Sequence, residues 1–559
     1  MDRLDKIQTQ APTPRQTARA RFLRSEDGSF IIFGLIIFVL ILTVGGMAVD
    51  FMRYEAQRAR LQSTLDRAVL AAASLEQELD ARDVVLDYFN KAGLGAHISR
   101  DDIAVTERPH SRRVEASASM KVNSTFLNFA GISELTAPAS GAAEEATSLT
   151  EISLVVDVSG SMGWNSSSGR TRIEELRRAA KKFVNIVICD PSRPDATTDC
   201  VVEPDTVTVS IVPYAEQALV GEGILSKFNV TDEHTYSSCV TFASDDFNST
   251  AITPDTPLQR TGHFDPWRGS SSTPRDWTCA TDSWRAFTPV NGNLAELHDR
   301  IDALGASGNT SIDVGAKWGV ALLNPAMQPI TEGLVADNIV AEVFEDRPMP
   351  PTRRGLQKLM VLMTDGENTG QHYLHDGFRE GPSPVYRDIR SDGTLGNKYS
   401  VHYLYNGTDW YYWDHDGSWQ DHPYGTGTYE ECVWKYSWQT GYYQDCNEVD
   451  EGNGAQQLDY VDLWRWKTWS WYERFSWLPE QGSYHGRNVK DARLASICDA
   501  AKAEGITIYT IGFEAPSAGR TALRNCASSP AHYFDANGLN LADAFSAIAR
   551  EIAKLRLIN

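Results

Sequence analysis

No cysteine precedes residue 189 of this 559-residue chain, and basic side chains are in short supply. Lys and Arg number 52 against 74 Asp and Glu, giving a net charge of −22. Residues 1–29 hold six basic and four acidic side chains, so everything after them carries −24. A body that acidic repels a phosphate backbone, which excludes nucleic acid as a partner. The chain also lacks HExxH, Walker A and GxSxG motifs and any CxxC or Cys/His cluster at zinc spacing. Those absences remove the ordinary grounds for a hydrolase, a nucleotide-driven enzyme or a structural zinc site. A protein that is not an enzyme is the expectation.

Long apolar runs are scarce, with one exception. Phe30 to Val49 is twenty residues without a charge, about the length a helix needs to cross ~30 Å of hydrocarbon. The run outlasts the roughly 7–15-residue apolar core of a secretory signal, and Asp50-Phe51-Met52-Arg53 is a poor cleavage site. It reads as one uncleaved transmembrane helix. Arginines flank it on both sides, so charge asymmetry says little about orientation. The cysteines say more, because Cys189, Cys200, Cys239, Cys279, Cys432, Cys446, Cys498 and Cys526 all follow the span. An even set on one side of a membrane points to disulfides in an oxidising compartment. Nearest-neighbour pairing (189–200, 239–279, 432–446, 498–526) is the expectation.

Residues 1–29 read as a cytoplasmic tail and 30–49 as the span. In 50–136 the helix continues as a stalk, with Leu61, Leu65, Ala68 and Ala72 on one face. A short helix near Ala81–Ala92 and alternating segments at Ile103–Glu107 and Val114–Ser124 make a small α+β region that covers this stripe. The small-residue stretch within 137–150 reads as a linker.

From residue 151 to 559, strands and helices alternate. Apolar strands end at Asp157, near Pro213, before Asp365 and near Gly512, with helices following at Arg172, Leu294, Ile312, Val489 and Leu541. The alternation predicts an α/β fold, a doubly wound parallel sheet whose ligands sit at the carboxyl ends of the strands. Insertions at about 216–288 and 370–488 interrupt it. The second holds ten of the fifteen Trp. Its aromatics either stack outward on a partner or form a compact subdomain core stapled by Cys432 and Cys446.

Three loops carry chemistry-bearing residues. Asp157-Val158-Ser159-Gly160-Ser161 is DxSxS at the end of an apolar strand; Thr310 opens a helix; Asp365 ends another apolar strand. Singly, such residues cap helices and turn loops. Together they place hydroxyl and carboxylate oxygens at one sheet edge, the donor type that Mg²⁺ prefers. A Ca²⁺ loop at Asp414-His415-Asp416-Gly417 lacks the spaced ligands and terminal Glu of an EF-hand.

In DxSxS, then Thr, then Asp, residues 151–559 resemble a von Willebrand factor A domain, with all five motif positions matched. The resemblance implies a metal-ion-dependent adhesion site. Ser159, Ser161 and Thr310 would offer hydroxyls, and Asp157 and Asp365 would ligate directly or through water, to Mg²⁺ (or Mn²⁺ or Ca²⁺). A partner protein's Asp or Glu would complete the coordination.

Glu26-Asp27-Gly28-Ser29, Ala48-Val49-Asp50-Phe51 and the run Leu61 to Ala73 look like the start of TadG-like proteins of Flp (tight adherence) pilus assembly. Cys526 to Pro530, Tyr533-Phe534 and Ala544 to Ala549 are similar to the same group. Phe33 stands where prepilin-like members carry Glu, which favours a permanent anchor over processing into a pilin. The resemblance implies a single-pass bacterial inner-membrane protein, N-terminus cytoplasmic and C-terminal domain periplasmic, that docks other pilus-assembly or envelope proteins. The alternative is an envelope-anchored adhesin whose metal site and aromatic insertion bind protein or glycan.

Overall fold

The computed structural model describes residues 27–558 apart from 75, 76, 78, 109, 110, 147 and 354. The expected cytoplasmic tail therefore lies almost wholly outside the described residues. The chain divides into two compact units, Met1–Thr147 and Ser148–Asn559.

The first unit is organised by a single 47-residue helix, α1 (Asp27–Ala73). From Phe30 to Leu42 it is apolar and exposed, and it is the one helix among the described residues long and apolar enough to cross a membrane. In the second half Leu61, Leu65, Ala68 and Ala72 are fully buried. They pack on α2 (Ala81–Lys91), whose first N–H groups are capped by Asp80. Beside them lies an antiparallel sheet of β1 (Ile103–Arg108), β2 (Ser111–Asn123) and β3 (Glu134–Ala146). Strand β3 corrects the expected linker at 137–150. Its small residues are there for packing: Ala137 and Ala139 are buried, and a Cβ on Gly141 would come within 2.7 Å of a Leu65 methyl carbon. Composition alone read close approach as a linker.

In the second unit a six-stranded sheet carries the fold. Its sequence-ordered strands are β4 (Leu149–Asp157), β5 (Val207–Tyr214), β6 (Thr288–Asn291), β7 (Leu356–Thr364), β8 (Thr507–Phe513) and β9 (Tyr533–Ala536). Spatially the order is β9-β8-β7-β4-β5-β6. Five strands run parallel. Strand β6 corrects the expectation of a wholly parallel sheet, because it pairs antiparallel with β5 at the edge as the chain returns from the first insertion. Alternation along β4 explains the layers: Ile152, Leu154 and Val156 face one core, Val155 the other. Helices α3 (Arg172–Val184), α4 (Leu294–Ala303) and, at the C-terminus, Leu541–Ile558 cover the first face. Helices α5 (Ile312–Ala321) and α6 (Arg487–Ala503) cover the second, where Trp318 is fully buried. This is a mixed α/β domain, broadly von Willebrand A- or Rossmann-like.

The insertion at 370–488 builds its own antiparallel sheet from Pro382–Ile389, Leu395–Tyr405, Thr408–Trp413, Ser418–Gln420 and Ala455–Asp459. Val385, Val401, Leu458, Trp464, Trp469 and Trp471 form its core, and Phe264 from the first insertion joins them. The four disulfides pair nearest neighbours in sequence. The Cys432–Cys446 staple lies outside this core, in an exposed hairpin.

Candidate functional site

Parallel pairing of β4 with β7 sets Val156 beside Met363, so Asp157 and Asp365 emerge together at the carboxyl edge of the sheet. The loop after Asp157 is tied down by the segment before α5. Gly160 donates its N–H to the Gly308 carbonyl at 2.8 Å, and Ser307 donates to that of Val158 at 2.9 Å. Gly308 has φ +90°, a backbone conformation open to glycine and strained for other residues. Thr310, two residues on, faces the next loop: a Cβ on Gly366 would lie 3.6 Å from its Oγ1.

The structure thus brings all five motif residues to one place. The Oγ atoms of Ser159 and Ser161 are 3.1 Å apart, and Ser161 Oγ donates to Asp365 Oδ1 at 2.7 Å. Asp157 accepts from the Ser159 N–H at 2.8 Å and from Thr364 Oγ1 at 2.6 Å. Asp157, Ser159, Thr310 and Asp365 are buried and Ser161 is half-buried. Burial first, and the Asp365 carboxylate second, push the Asp157 carboxyl up to about 7. Burial also raises Asp365, against the opposing pull of Arg172 and Ser161.

Sequence reasoning missed Arg172 and Lys490, which hold these ligands. Arg172, the first residue of α3, donates to Asp365 Oδ2 at 2.7 Å, and its Nε lies 3.4 Å from Glu514 Oε2. Nothing in the local pattern marked it. Lys490 of α6, fully buried, donates to the Thr310 and Thr369 carbonyls at 3.2 and 3.0 Å. Asn368 accepts from the Ile312 N–H at 2.8 Å and so caps α5, while its amide donates to Asp491 at 2.9 Å. Glu367 pairs with Arg487 at 2.9 Å.

Two buried carboxylates, Asp157 and Asp365, meet here with one guanidinium beside them, bound to Asp365, and the remaining donors are hydroxyls. That all-oxygen set, short of positive charge, fits a hard divalent cation. A second group is also capable in principle of coordinating a metal: potential ligand atoms of Glu430, Cys432 and Cys446 lie within 4.8 Å of one another. Its sulfurs are joined in a disulfide, whereas the thiolate is the ligating form. Asp414 is already engaged, by Trp471 Nε1 at 2.8 Å and by Arg474. No catalytic chemistry is evident among the described residues.

The profile of the family described as "Putative Flp pilus-assembly TadE/G-like" matches residues 28–75. The N-terminal region is thus TadE/G-like, over a small part of the chain. No curated protein matches. Among solved structures, the vWF domain of the type V pili tip protein Mfa5 from Porphyromonas gingivalis is similar at 15% identity and TM-score 0.30, over 73% of this chain and 97% of that one. The pilus adhesin SpaC from Lactobacillus rhamnosus GG is similar at 15% and 0.29, over 81% and 34%. The PilB minor pilin from Streptococcus sanguinis is similar at 12% and 0.27, over 81% and 77%. Likenesses at TM-scores this low carry no argument about function.

Proposed function

We propose that this is a non-enzymatic component of Flp pilus assembly, anchored once in the bacterial inner membrane, whose periplasmic domain docks a partner protein through a divalent cation. The observation that carries the reading is the convergence of Asp157, Ser159, Ser161, Thr310 and Asp365 at the carboxyl edge of the sheet. Ser159, Ser161 and Thr310 would hold Mg²⁺, or Mn²⁺ or Ca²⁺, by their hydroxyls, with Asp157 and Asp365 supplying charge directly or through water. Such an ion, when bound, supplies a Lewis-acidic position that a partner's Asp or Glu can fill. Thr364 and the Ser159 N–H orient Asp157, and Lys490 fixes the Thr310 backbone. Eight cysteines beyond the span, all paired in disulfides, support the periplasmic side. The TadE/G-like region supports the pilus-assembly setting.

Calorimetry of the full chain in detergent with Mg²⁺ and Mn²⁺ tests the site. Binding should be lost in Asp157→Ala and Thr310→Ala, and unchanged affinity in both would sink the metal reading. Partners captured from envelope extracts should be released by EDTA and missed by Asp365→Ala. Partners indifferent to both would leave these residues a structural role only.

A further inference from the structure

Strands Thr428–Ser437 and Gly441–Asp450 pair with each other and with no other described strand. Both outer edges therefore keep free backbone donors and acceptors, the template that an extended partner segment completes. A lone two-stranded ribbon is marginal in water. Here Cys432 and Cys446, directly opposite in register, are bonded across it. The staple holds in place an element that buries almost nothing of its own.

What it displays is specific. Residues directly paired across an antiparallel ladder project to one side, so Glu430 and Glu448, then the disulfide, then Trp434, then Tyr436 and Tyr442 form one face. Trp434, Tyr436 and Tyr442 are 64%, 68% and 75% exposed, and the two tyrosine rings meet edge to face with centroids 5.1 Å apart. Exposed aromatics concentrated this way mark interaction surfaces. The charge is one-sided too: residues 428–450 hold five carboxylates and a single cation, Lys435. Lys435 is itself paired with Asp445 on the opposite face. Glu448 accepts from Thr428 Oγ1 at 2.6 Å, and neither it nor Glu430 has an ion pair among the described residues; aromatic faces beside such carboxylates attract guanidinium and ammonium groups by cation–π and ionic attraction together. The same charge repels anionic lipid.

We infer that this hairpin is a docking arm for an extended, Arg- or Lys-bearing segment of a partner protein. The segment adds along a free edge by main-chain hydrogen bonds and lays its cations over Trp434, Tyr436 and Tyr442, with Glu430 and Glu448 as counter-charges. This surface is independent of the proposed metal site.

The test is fluorescence anisotropy of a labelled synthetic peptide alternating Arg and Thr, titrated with the full chain in neutral detergent, with a Glu/Thr peptide as control. The Arg peptide should bind and the Glu peptide should not. Trp434→Ala with Tyr436→Ala should weaken binding by about ten-fold or more. Glu430→Lys with Glu448→Lys should reverse the charge preference, with the Cys432–Cys446 bond intact by mass mapping and binding unaffected by EDTA. Equal peptide binding by the wild type and both variants would place the attraction elsewhere on the acidic surface and overturn the inference. So would preferential binding of phosphatidylglycerol vesicles, or of a soluble oligosaccharide, through the same aromatics.

Discussion

Arg172 occupies a position that a bound cation would contest. Its guanidinium donates to Asp365 Oδ2 at 2.7 Å, where the Asp365 side chain is fully buried and that of Arg172 only 15% exposed. A cation that takes Asp365 as a ligand must draw this carboxylate away from Arg172 or share it. A hydrogen bond to a charged group contributes about 1.5–3 kcal/mol. Glu514, 3.4 Å from Nε, offers the displaced guanidinium a second carboxylate, so the lower end applies. Removing the competitor at about 1.5 kcal/mol corresponds to a roughly ten-fold gain in affinity. Arg172→Met, which keeps an unbranched apolar side chain but gives up the guanidinium over the Trp164 ring, should therefore bind Mg²⁺ about ten-fold more tightly than the wild type by calorimetry. Without metal the same variant leaves Asp365 lacking its counter-ion, so it should melt at a lower temperature and be rescued further by Mg²⁺. A cooperatively folded Arg172→Met whose affinity is unchanged or weaker would refute the competition.

Asp157 sets a pH dependence. Its carboxyl is raised to about 7 by burial first and Asp365 second, so the metal-free fold binds more protons than the unfolded chain between about pH 4 and 7 and loses stability as pH rises through that window. Melts in EDTA should be lower at pH 8 than at pH 5, and Mg²⁺ affinity should rise with pH up to about 7; the opposite trend in either would refute the assignment. Thr364→Val removes the donor to Asp157 at 2.6 Å and the acceptor for the Gly366 N–H at 3.0 Å. It should cost about 1–3 kcal/mol of stability by denaturant melts, whereas a neutral result would mean that solvent replaces both bonds. Gly141→Leu drives a side chain into Leu65, an overpacking worth about 1–3 kcal/mol, and should raise amide exchange along β3 without affecting metal affinity.

Much of the sheet was legible because burial writes itself into sequence as apolar runs. The runs ending at Asp157 and before Asp365 became β4 and β7, and the chemistry sits where such strands end. The pairing of the four disulfides followed from proximity along the chain. Strand β3 escaped because its buried positions are Ala137 and Ala139, with Gly141 half-buried beside them, chosen for closeness to α1 rather than for apolar bulk. Strand β6 escaped because it is four residues long and runs antiparallel at an edge, leaving no periodic signal. The aromatic insertion could be read as a packed core or as an outward surface. It is both, in separate segments: Trp464, Trp469 and Trp471 are core, while Trp434 and Tyr436 are outside.

The least legible part of the candidate site is its surroundings, and the reason is physical. The DxSxS part of the ligand motif is short and local, since Asp157, Ser159 and Ser161 lie within one turn of chain, and the family pattern joins Thr310 and Asp365 to it. The groups that tune it come from far away: Arg172 reaches Asp365 across 193 positions and Lys490 reaches Thr310 across 180. No motif joins these two to the ligands as it joins Thr310 and Asp365, because the fold alone makes them neighbours. They act on the ligands directly, for one guanidinium bound to Asp365, with Glu514 as its second partner, determines how much positive charge the site still lacks. The motif names a class of ion, and Arg172 sets how readily this chain would accept it. For that reason removing the charge at Arg172 should move metal affinity more informatively than any change within DxSxS, where substitution abolishes the site instead of grading it.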